Sequence, residues 1–267
     1  MRSASFGGVA SLYERYRPGP PVAAVDWLLP THVGRVVDLG AGTGALTRLL
    51  VDRADEVVAV EPDDRMLAVL VDEVPGVRAI EGRGESMPVP AGCADAVLAS
   101  SSWHWMDPVA TLHEVARVLV LGGILGAVWS GPDPDGPFLA QARSLLSERS
   151  QGAKASGAEE AGRDAGRGEF AGFMTSDALR PQFSLEIPPG VPFDQPERNV
   201  FTWDVALDAD ELIGLLGTLS WVITMAENRR AHLFAEARRL LRDYLGVEGP
   251  VTVDVAFRGD AWRTRRN

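Results

Sequence analysis

Residues 36–44 combine a carboxylate with closely spaced glycines. They read VVDLGAGTG, so that a β-branched run leads through Asp38 into Gly40, Gly42 and Gly44. Glycine tolerates positive φ and lets the backbone approach a ligand closely, and the N–H groups of a following helix face the same crevice. Glu61 follows Gly40 at about the 20-residue spacing at which a carboxylate accepts hydrogen bonds from ribose hydroxyls. The pattern predicts a site for a nucleotide-like ligand.

The glycine string alone does not identify the nucleotide. Gly40-x-Gly42-x-x-Ala45 followed by Glu61 also fits the dinucleotide-binding fingerprint. An NAD(P)-dependent oxidoreductase is therefore the competing interpretation. A tyrosine and lysine pair of the reductase kind cannot form around Lys154, the only lysine, because no tyrosine lies four residues before it. The residues around the glycines must decide between the two.

The stretch 35–129 alternates β-branched runs with amphipathic segments, which is typical of βα units around a parallel sheet. The predicted strands are Val36 to Leu39, Val57 to Val60, Val77 to Ile80, Ala96 to Ser100 and Ile124 to Trp129. The predicted helices lie near Ala45 to Ala54, Asp64 to Val74 and Val109 to Leu119. We expect Asp107 to cap the third helix and Gly122 to lie in the turn that ends it.

The second half of the chain has a weaker pattern. Residues 151–168, QGAKASGAEEAGRDAGRG, contain no aliphatic side chain larger than alanine. Such a composition cannot bury an apolar stripe and predicts a mobile loop, or a loop that is ordered by a ligand. The elements predicted after it are a strand near Phe183 to Ile187, helices from about Asp208 to Leu216 and Met225 to Leu245, and a closing strand from Val251 to Phe257.

Composition excludes several classes of protein. The 267 residues carry a formal charge of −11, which repels phosphate backbones and argues against a nucleic-acid partner. The longest apolar run, Val118 to Trp129, is far shorter than the roughly 20 residues of a membrane helix, and no signal-peptide pattern follows Arg2. The single Cys93 excludes an intrachain disulfide. Together these features predict a cytoplasmic protein without a membrane partner. We also expect no metal site.

Four motifs stand out: VVDLGAGTG, Glu61-Pro62-x-x-x-Met66-Leu67, Gly82-x-Gly84-Glu85-x-Met87-Pro88 and Trp103-His104-Trp105-x-Asp107 to Gly122-Gly123. Together they resemble the class I S-adenosylmethionine-dependent methyltransferases. The resemblance is greatest to their type 11 small-molecule branch, which includes trans-aconitate methyltransferase-like proteins. It covers most of residues 33–130, and it implies a Rossmann-like three-layer α/β sandwich whose seven-stranded, mostly parallel sheet has an antiparallel last strand, with a helical lid.

Carried over by position, the resemblance assigns a set of residues to S-adenosylmethionine. Asp38 and the three glycines would hold its methionine part and approach its ribose, and Glu61 would bind the ribose hydroxyls. The turn at Gly84 would border the adenine, and the two serines after the fourth strand would face its amino-acid end. Arg83 stands where many relatives have an acidic residue. The predicted cofactor-binding residues are Asp38, Gly40, Gly42, Gly44, Glu61, Gly84, Glu85, Ser100 and Ser101.

The acceptor is predicted less sharply. Alignment and desolvation supply most of the rate of methyl transfer, because the donor sulfonium is already activated. An alcohol acceptor would need a general base, for which His104 is the candidate, whereas a carboxylate needs only cationic groups to hold it. Both acceptor types remain open, as does a packing role for His104. The candidates for the substrate pocket are Tyr13, Arg15, Arg17, Trp103 and Trp105.

We expect four segments along the chain. They are N-terminal lid helices (1–30), the cofactor-binding core (31–130), a variable substrate or lid region (131–235) and the end of the core (236–267). The predicted function is methyl transfer to a small molecule, first of all at oxygen, by a monomer or homodimer. The remaining alternative is a regulatory protein that binds the cofactor without turnover.

Overall fold

The strands form one seven-stranded sheet. This computed structural model describes residues 16, 18–142, 144, 184–218 and 220–267. Its strands are β1 (Val33–Leu39), β2 (Ala54–Glu61), β3 (Arg78–Glu81), β4 (Ala94–Ser100), β5 (Leu119–Pro132), β6 (Glu197–Leu207) and β7 (Val253–Arg265). Their order is β3-β2-β1-β4-β5-β7-β6. The first five pair in parallel and the last two are antiparallel, which confirms the predicted α/β fold.

Helices connect most of these strands. They are α1 (Val22–Leu28), α2 (Thr47–Leu50), α3 (Asp64–Glu73), α4 (Pro108–Val118), α5 (Ala209–Gly217), α6 (Ser220–Ile223) and α7 (Glu227–Leu245). Residues 137–142 are also helical. Asp107 caps α4 by accepting a hydrogen bond from Ala110 N, with Pro108 at the first helical position, as predicted. Asp208 and Glu211 form a reciprocal capping box at the start of α5.

The chain divides into two compact units. Of the described residues, the first unit contains those up to Gly131, 184–201 and Gly259–Asn267, and the second contains 132–144 and 202–258. In the second unit, α5 and α7 pack together through Leu216 and Leu233, and Phe257 of β7 packs with Leu207 of β6. The predicted boundaries at residues 30, 130 and 235 remain a prediction.

Both faces of the sheet are covered in the first unit. Successive side chains of a strand point to opposite faces. Val37 therefore lies in one apolar cluster with Leu112 of α4, while Val36 lies in another with Leu28 of α1. Helices on both faces require strands that are apolar on both sides, which explains the nearly continuous apolar runs of β1, β2 and β4. Asp38 interrupts one of those runs.

Several predicted elements were wrong. Of the strand predicted near Phe183 to Ile187, the described residues 184–187 form no strand, although Leu185 is buried in the core. Gly122 does not end α4. It has φ of +76° inside β5, where the pairing shifts between Ala94 and Ala96 of β4, so this glycine serves a bulge.

Sequence reasoning missed β6 altogether. Its signal was present, since Phe201, Trp203, Val205 and Leu207 alternate with polar or small residues. The predicted first helix shrinks to Thr47–Leu50, and the closing strand extends to Arg265. Residues 151–168, predicted as a loop, lie outside the described residues.

Candidate cofactor site

A pocket lies where β1, β2, β4 and β5 end. Parallel strands bring their carboxyl ends to one edge of the sheet, and ligands of open α/β sheets bind there, at the point where the strand order reverses. In this sheet the order reverses between β1 and β4. The pocket is lined by residues 18–20, 38–43, 45, 46, 61, 62, 66, 82–85, 100–102, 105, 106 and 130.

Asp38 is a buried carboxylate in the wall of this pocket. Thr47 Oγ1 of α2 donates a hydrogen bond to its Oδ2 at 2.6 Å. Its Oδ1 is buried and accepts no hydrogen bond in the described part of the chain. Burial is the main cause that raises the pKa of Asp38 to about 7, the nearby charge of Glu61 acts in the same direction, and the hydrogen bonds from Thr47 oppose the shift. An acceptor of this kind suits a cationic hydrogen-bond donor.

Glu61 ends β2 and is 7% exposed. Its Oε2 accepts from Gly42 N at 3.1 Å and its Oε1 from Asp63 N at 3.0 Å. Burial raises the pKa of Glu61 above its ordinary range, and the two N–H groups oppose that shift. Each carboxylate oxygen has a second lone pair. Glu61 can therefore bridge the glycine turn and still accept hydrogen bonds from a diol.

The three glycines of the turn have positive φ but differ in their surroundings. A Cβ on Gly40 would lie 2.5 Å from the Cβ of Ser102, so this glycine allows β1 and β4 to end side by side. Gly44 faces Leu70 of α3 and does not line the pocket. A Cβ on Gly42 would meet only the Met66 sulfur, at 3.9 Å. Gly42 is thus the glycine whose missing side chain leaves space inside the pocket.

The loop 82–85 forms another wall of the pocket and is fastened to α4. Gly84 packs so closely that a Cβ would lie 2.5 Å from the Met106 sulfur. Glu85 Oε1 accepts from Asp107 N at 2.8 Å. Sequence reasoning missed Arg83 as a site residue, but it lines the pocket. Because the Glu85 carboxylate already binds backbone, the loop presents its backbone and Arg83 to a ligand.

Serines mark the ends of β4 and β5. Ser100 and Ser101, which were predicted to face the cofactor's amino-acid end, line the pocket, and Ser101 adopts φ of +51°, which is uncommon for a residue with a side chain. Ser102 Oγ donates to Leu39 O at 2.7 Å and ties the two strand ends together. Ser130 was missed. Its hydroxyl is buried without a partner in the described residues, and the strand-end rule that identified Ser100 would also have identified it.

The Trp103–Trp105 stretch is a 3₁₀ turn after β4. Trp105 lines the pocket and is 38% exposed, whereas Trp103 is buried in the core, so the structure brings only one of these predicted pocket residues to the wall. His104 is exposed and does not line the pocket. Its Nδ1 accepts from Trp129 Nε1 at 3.1 Å. The role of His104 as a base stays a prediction.

The described N-terminal residues reach the pocket. Pro18, Gly19 and Pro20 line it, and sequence reasoning did not name them. The predicted substrate residues Tyr13, Arg15 and Arg17 lie outside the described residues. In the described ranges, no group of three or more His, Cys, Asp or Glu side chains is arranged to hold a metal ion. The same ranges contain no helix long and apolar enough to cross a membrane.

Known proteins resemble this chain along most of its length. Residues 37–127 match the family described as "Methyltransferase domain". An uncharacterised methyltransferase of Mycobacterium tuberculosis H37Rv is 38% identical over 239 residues, which cover 90% of this chain and 86% of the relative. A malonyl-[acyl-carrier protein] O-methyltransferase of Pectobacterium atrosepticum is 29% identical over 154 residues, 55% of each chain. A solved structure assigned as a type II methyltransferase of Anaeromyxobacter dehalogenans has a TM-score of 0.60 and 20% identity, and covers 94% of this chain and 98% of that chain.

The sheet order and the pocket at its switch point define a Rossmann-like α/β protein with a candidate cofactor site. The relative that matches 90% of the chain adds the family: the chain belongs to the methyltransferases. This membership implies S-adenosylmethionine as the methyl donor and does not favour the oxidoreductase alternative.

Proposed function

We propose that this methyltransferase binds S-adenosylmethionine in the pocket described above and transfers its methyl group to an oxygen atom of a small molecule. The observation that carries the proposal is the buried Oδ1 of Asp38, which accepts no hydrogen bond from the residues that the structure describes. S-Adenosylmethionine has two cationic groups, an ammonium and a sulfonium. A nicotinamide dinucleotide instead brings a pyrophosphate, which two buried carboxylates would repel.

The residues present fit the methionine and ribose parts of this donor. Asp38 Oδ1 is suited to accept a hydrogen bond from the ammonium, and Glu61 to accept from the two ribose hydroxyls while still bonded to Gly42 N and Asp63 N. Gly42 leaves room for the ligand to approach the backbone. Together these residues support Asp38, Gly42 and Glu61 as the core of the cofactor site.

The opposite part of the pocket suits the adenine. Residues 82–85 and Met66 supply backbone, the Arg83 side chain and an apolar surface.

Ser100, Ser101 and Ser130 supply hydroxyls near the strand ends, where the amino-acid part would lie. Gly40 and Gly44, which were predicted to contact the donor, act through packing in this proposal because they face Ser102 and Leu70.

In this proposal, catalysis depends on how the pocket residues position the methyl donor and the acceptor. Bound S-adenosylmethionine supplies an activated methyl group, and departure of the sulfur neutralises a charge. The buried wall formed by Asp38, Glu61 and Met66 fixes the donor and excludes water around it. Trp105 at the open side of the pocket is placed to contact an acceptor. Holding the two reactants in line is the main contribution of the protein.

Two arguments support an oxygen acceptor. The sequence resembles a branch that methylates small acids, and the name of the Pectobacterium atrosepticum relative describes O-methylation. Beyond the described residues, the predicted substrate contacts Arg15 and Arg17 are cations suited to hold an anionic acceptor. We propose small acids as the first acceptors to examine.

Calorimetry with S-adenosylmethionine, S-adenosylhomocysteine, NAD and NADP tests the cofactor, and transfer of an isotope-labelled methyl group to pooled small acids tests the reaction. We expect both S-adenosyl ligands to bind and neither dinucleotide to do so. Tighter binding of a dinucleotide would contradict the proposal. Cofactor binding without transfer across a broad metabolite panel would instead support a regulatory protein.

A further inference from the structure

The wall formed by residues 82–85 presents a cation to the pocket. Two of its four residues are glycines, and Glu85 Oε1 accepts a hydrogen bond from Asp107 N at 2.8 Å. Arg83 lines the pocket and is exposed. Its guanidinium takes part in none of the hydrogen bonds and ion pairs formed among the described residues. Arg83 therefore has five N–H donors that are available to a ligand.

The order of the strands places this loop at the base end of a bound nucleoside. Asp38 lies on β1, Glu61 ends β2, and residues 82–85 follow β3. In the sheet, β2 lies between β1 and β3. The proposed site has the methionine ammonium at Asp38 and the ribose hydroxyls at Glu61. The base of such a ligand continues in the same direction, toward the end of β3, where Arg83 meets one of its edges.

A guanidinium distinguishes the two common kinds of purine at position 6. Adenine has an amino group there, which is a donor, whereas a 6-oxopurine has a carbonyl oxygen, which is an acceptor beside the N7 acceptor. In protein–DNA complexes, arginine pairs with O6 and N7 of guanine, and glutamine pairs with N6 and N7 of adenine. Arginine has no acceptor atom. Arg83 is thus complementary to a 6-oxopurine and offers no acceptor to the adenine amino group.

We propose that Arg83 determines the base preference of this pocket, so that the site binds nucleosides with a 6-oxopurine base as readily as adenine nucleosides. The inference rests on the proposed cofactor site. Its ligand class is the nucleosyl thioethers of homocysteine, with S-inosylhomocysteine as the probe. This compound differs from S-adenosylhomocysteine in carrying an oxygen instead of the amino group at position 6 of the base. The inference concerns recognition, and no covalent step is involved.

Calorimetry with these two ligands measures the preference directly, because they share the homocysteine and ribose parts. We expect the wild type to bind S-inosylhomocysteine as tightly as S-adenosylhomocysteine, within about fivefold, the discrimination that one base contact provides at the least. Arg83→Gln supplies an amide oxygen that can accept from the adenine amino group. This variant should shift the ratio of the two affinities toward S-adenosylhomocysteine by about fivefold or more.

Arg78 of β3 supplies the matched control. It is also an exposed arginine, three residues before the strand ends, and it does not line the pocket. Arg78→Gln should leave the ratio of the two affinities unchanged. The ratio is the informative quantity, since damage to the loop would lower both affinities together. A contact with position 6 of the base changes one affinity relative to the other.

The contrary results are distinct. A wild-type preference for S-adenosylhomocysteine of more than about fivefold would overturn the inference. A smaller shift of the ratio in Arg83→Gln, with both affinities reduced alike, would mean that the guanidinium stacks on the face of the base, and would also overturn it. Failure of the wild type to bind either ligand would instead contradict the proposed cofactor site on which the inference rests.

Discussion

The carboxylates at the two ends of the sheet have different partners. At the amino end, Glu56 of β2 pairs with Arg35 at 2.6 Å, and Asp95 of β4 accepts from Arg35 N at 2.8 Å. At the carboxyl end, the partners shown for Asp38 and Glu61 are one hydroxyl and two backbone N–H groups. At the amino end, Glu56 is therefore paired with a cation, whereas Asp95 is bonded to a backbone N–H group. At the carboxyl end, Asp38 and Glu61 are buried, and the described residues supply neither of them with a counterion.

This contrast distinguishes stability from function. Burial of a charge without a counterion is unfavourable, so a protein that keeps two such groups side by side has a use for them. The raised pKa values of Asp38 and Glu61 express that cost. At the amino end, the Glu56 carboxylate raises the pKa of the Arg35 guanidinium, as a favourable ion pair does. A cationic ligand would give the carboxyl end the same compensation.

The strongest test replaces one carboxylate at each end of the sheet. Asp38→Asn removes the charge but keeps an acceptor for Thr47. We expect affinity for S-adenosylmethionine to fall by about 10- to 100-fold, the scale of a lost charge-assisted hydrogen bond, about 1.5 to 3 kcal/mol. Asp95→Asn, on the neighbouring strand, should leave affinity unchanged. Calorimetry measures both, and equal affinities for the two variants would remove the functional meaning of the contrast.

The sequence could predict the site residues that belong to local features, and it could not predict the properties that depend on residues far away along the chain. Asp38, the glycines and Glu61 were found because a strand, a turn and the next strand end are local features. The distinct roles of Gly40 and Gly42 were not predictable, since they depend on Ser102, about 60 residues away, whose position requires the pairing of β1 with β4. The sequence also could not predict that the described residues leave one oxygen of Asp38 without a hydrogen bond.

The pH dependence of Asp38 sharpens the comparison. Its pKa is raised to about 7, so the free protein carries a proton there at lower pH, and a cationic ligand must displace it. Affinity should therefore fall as pH decreases, by about 20-fold between pH 7.5 and 5.5 by proton linkage. Calorimetry in buffers of different ionisation enthalpy should show proton release at pH 6, and Asp38→Asn should abolish it.

The raised pKa of Asp38 affects folding stability in the direction opposite to its effect on ligand affinity. A carboxyl whose folded-state pKa is raised favours folding below its unfolded value, near 3.8, and this contribution is lost as pH rises through about 7. The stability of Asp38→Asn relative to wild type should thus increase from pH 5 to pH 8 in the ligand-free protein. Denaturant unfolding at the two pH values provides the measurement, and a constant difference would argue against the shift.

Glu61 should have a smaller effect, because it already accepts two hydrogen bonds within the protein. Glu61→Gln keeps one acceptor oxygen and should weaken cofactor binding by about 5- to 30-fold, or about 1 to 2 kcal/mol. Glu61→Ala should also lower the thermal midpoint, since it leaves Gly42 N and Asp63 N without their acceptor. Glu56→Gln, on the same strand, is the matched control. If it weakens binding as much as Glu61→Gln, the ribose assignment is wrong.

The smallest effect on binding is expected from glycine substitutions. Each end of the sheet has one glycine with space for a Cβ. Gly42, with φ of +56°, and Gly76, with φ of +89° in the turn before β3, both have space for a Cβ. Alanine at either position is strained by its positive φ and should cost about 1 kcal/mol of unfolding free energy. Only Gly42→Ala places a methyl group inside the pocket, so we expect it alone to lower affinity for S-adenosylhomocysteine, by about threefold to tenfold. Denaturant unfolding measures the loss of stability in each variant, and calorimetry measures the loss of affinity. Equal losses of stability with unequal losses of affinity would assign the open space at Gly42 to the ligand. Equal affinities of the two variants would mean that this space has no role in binding.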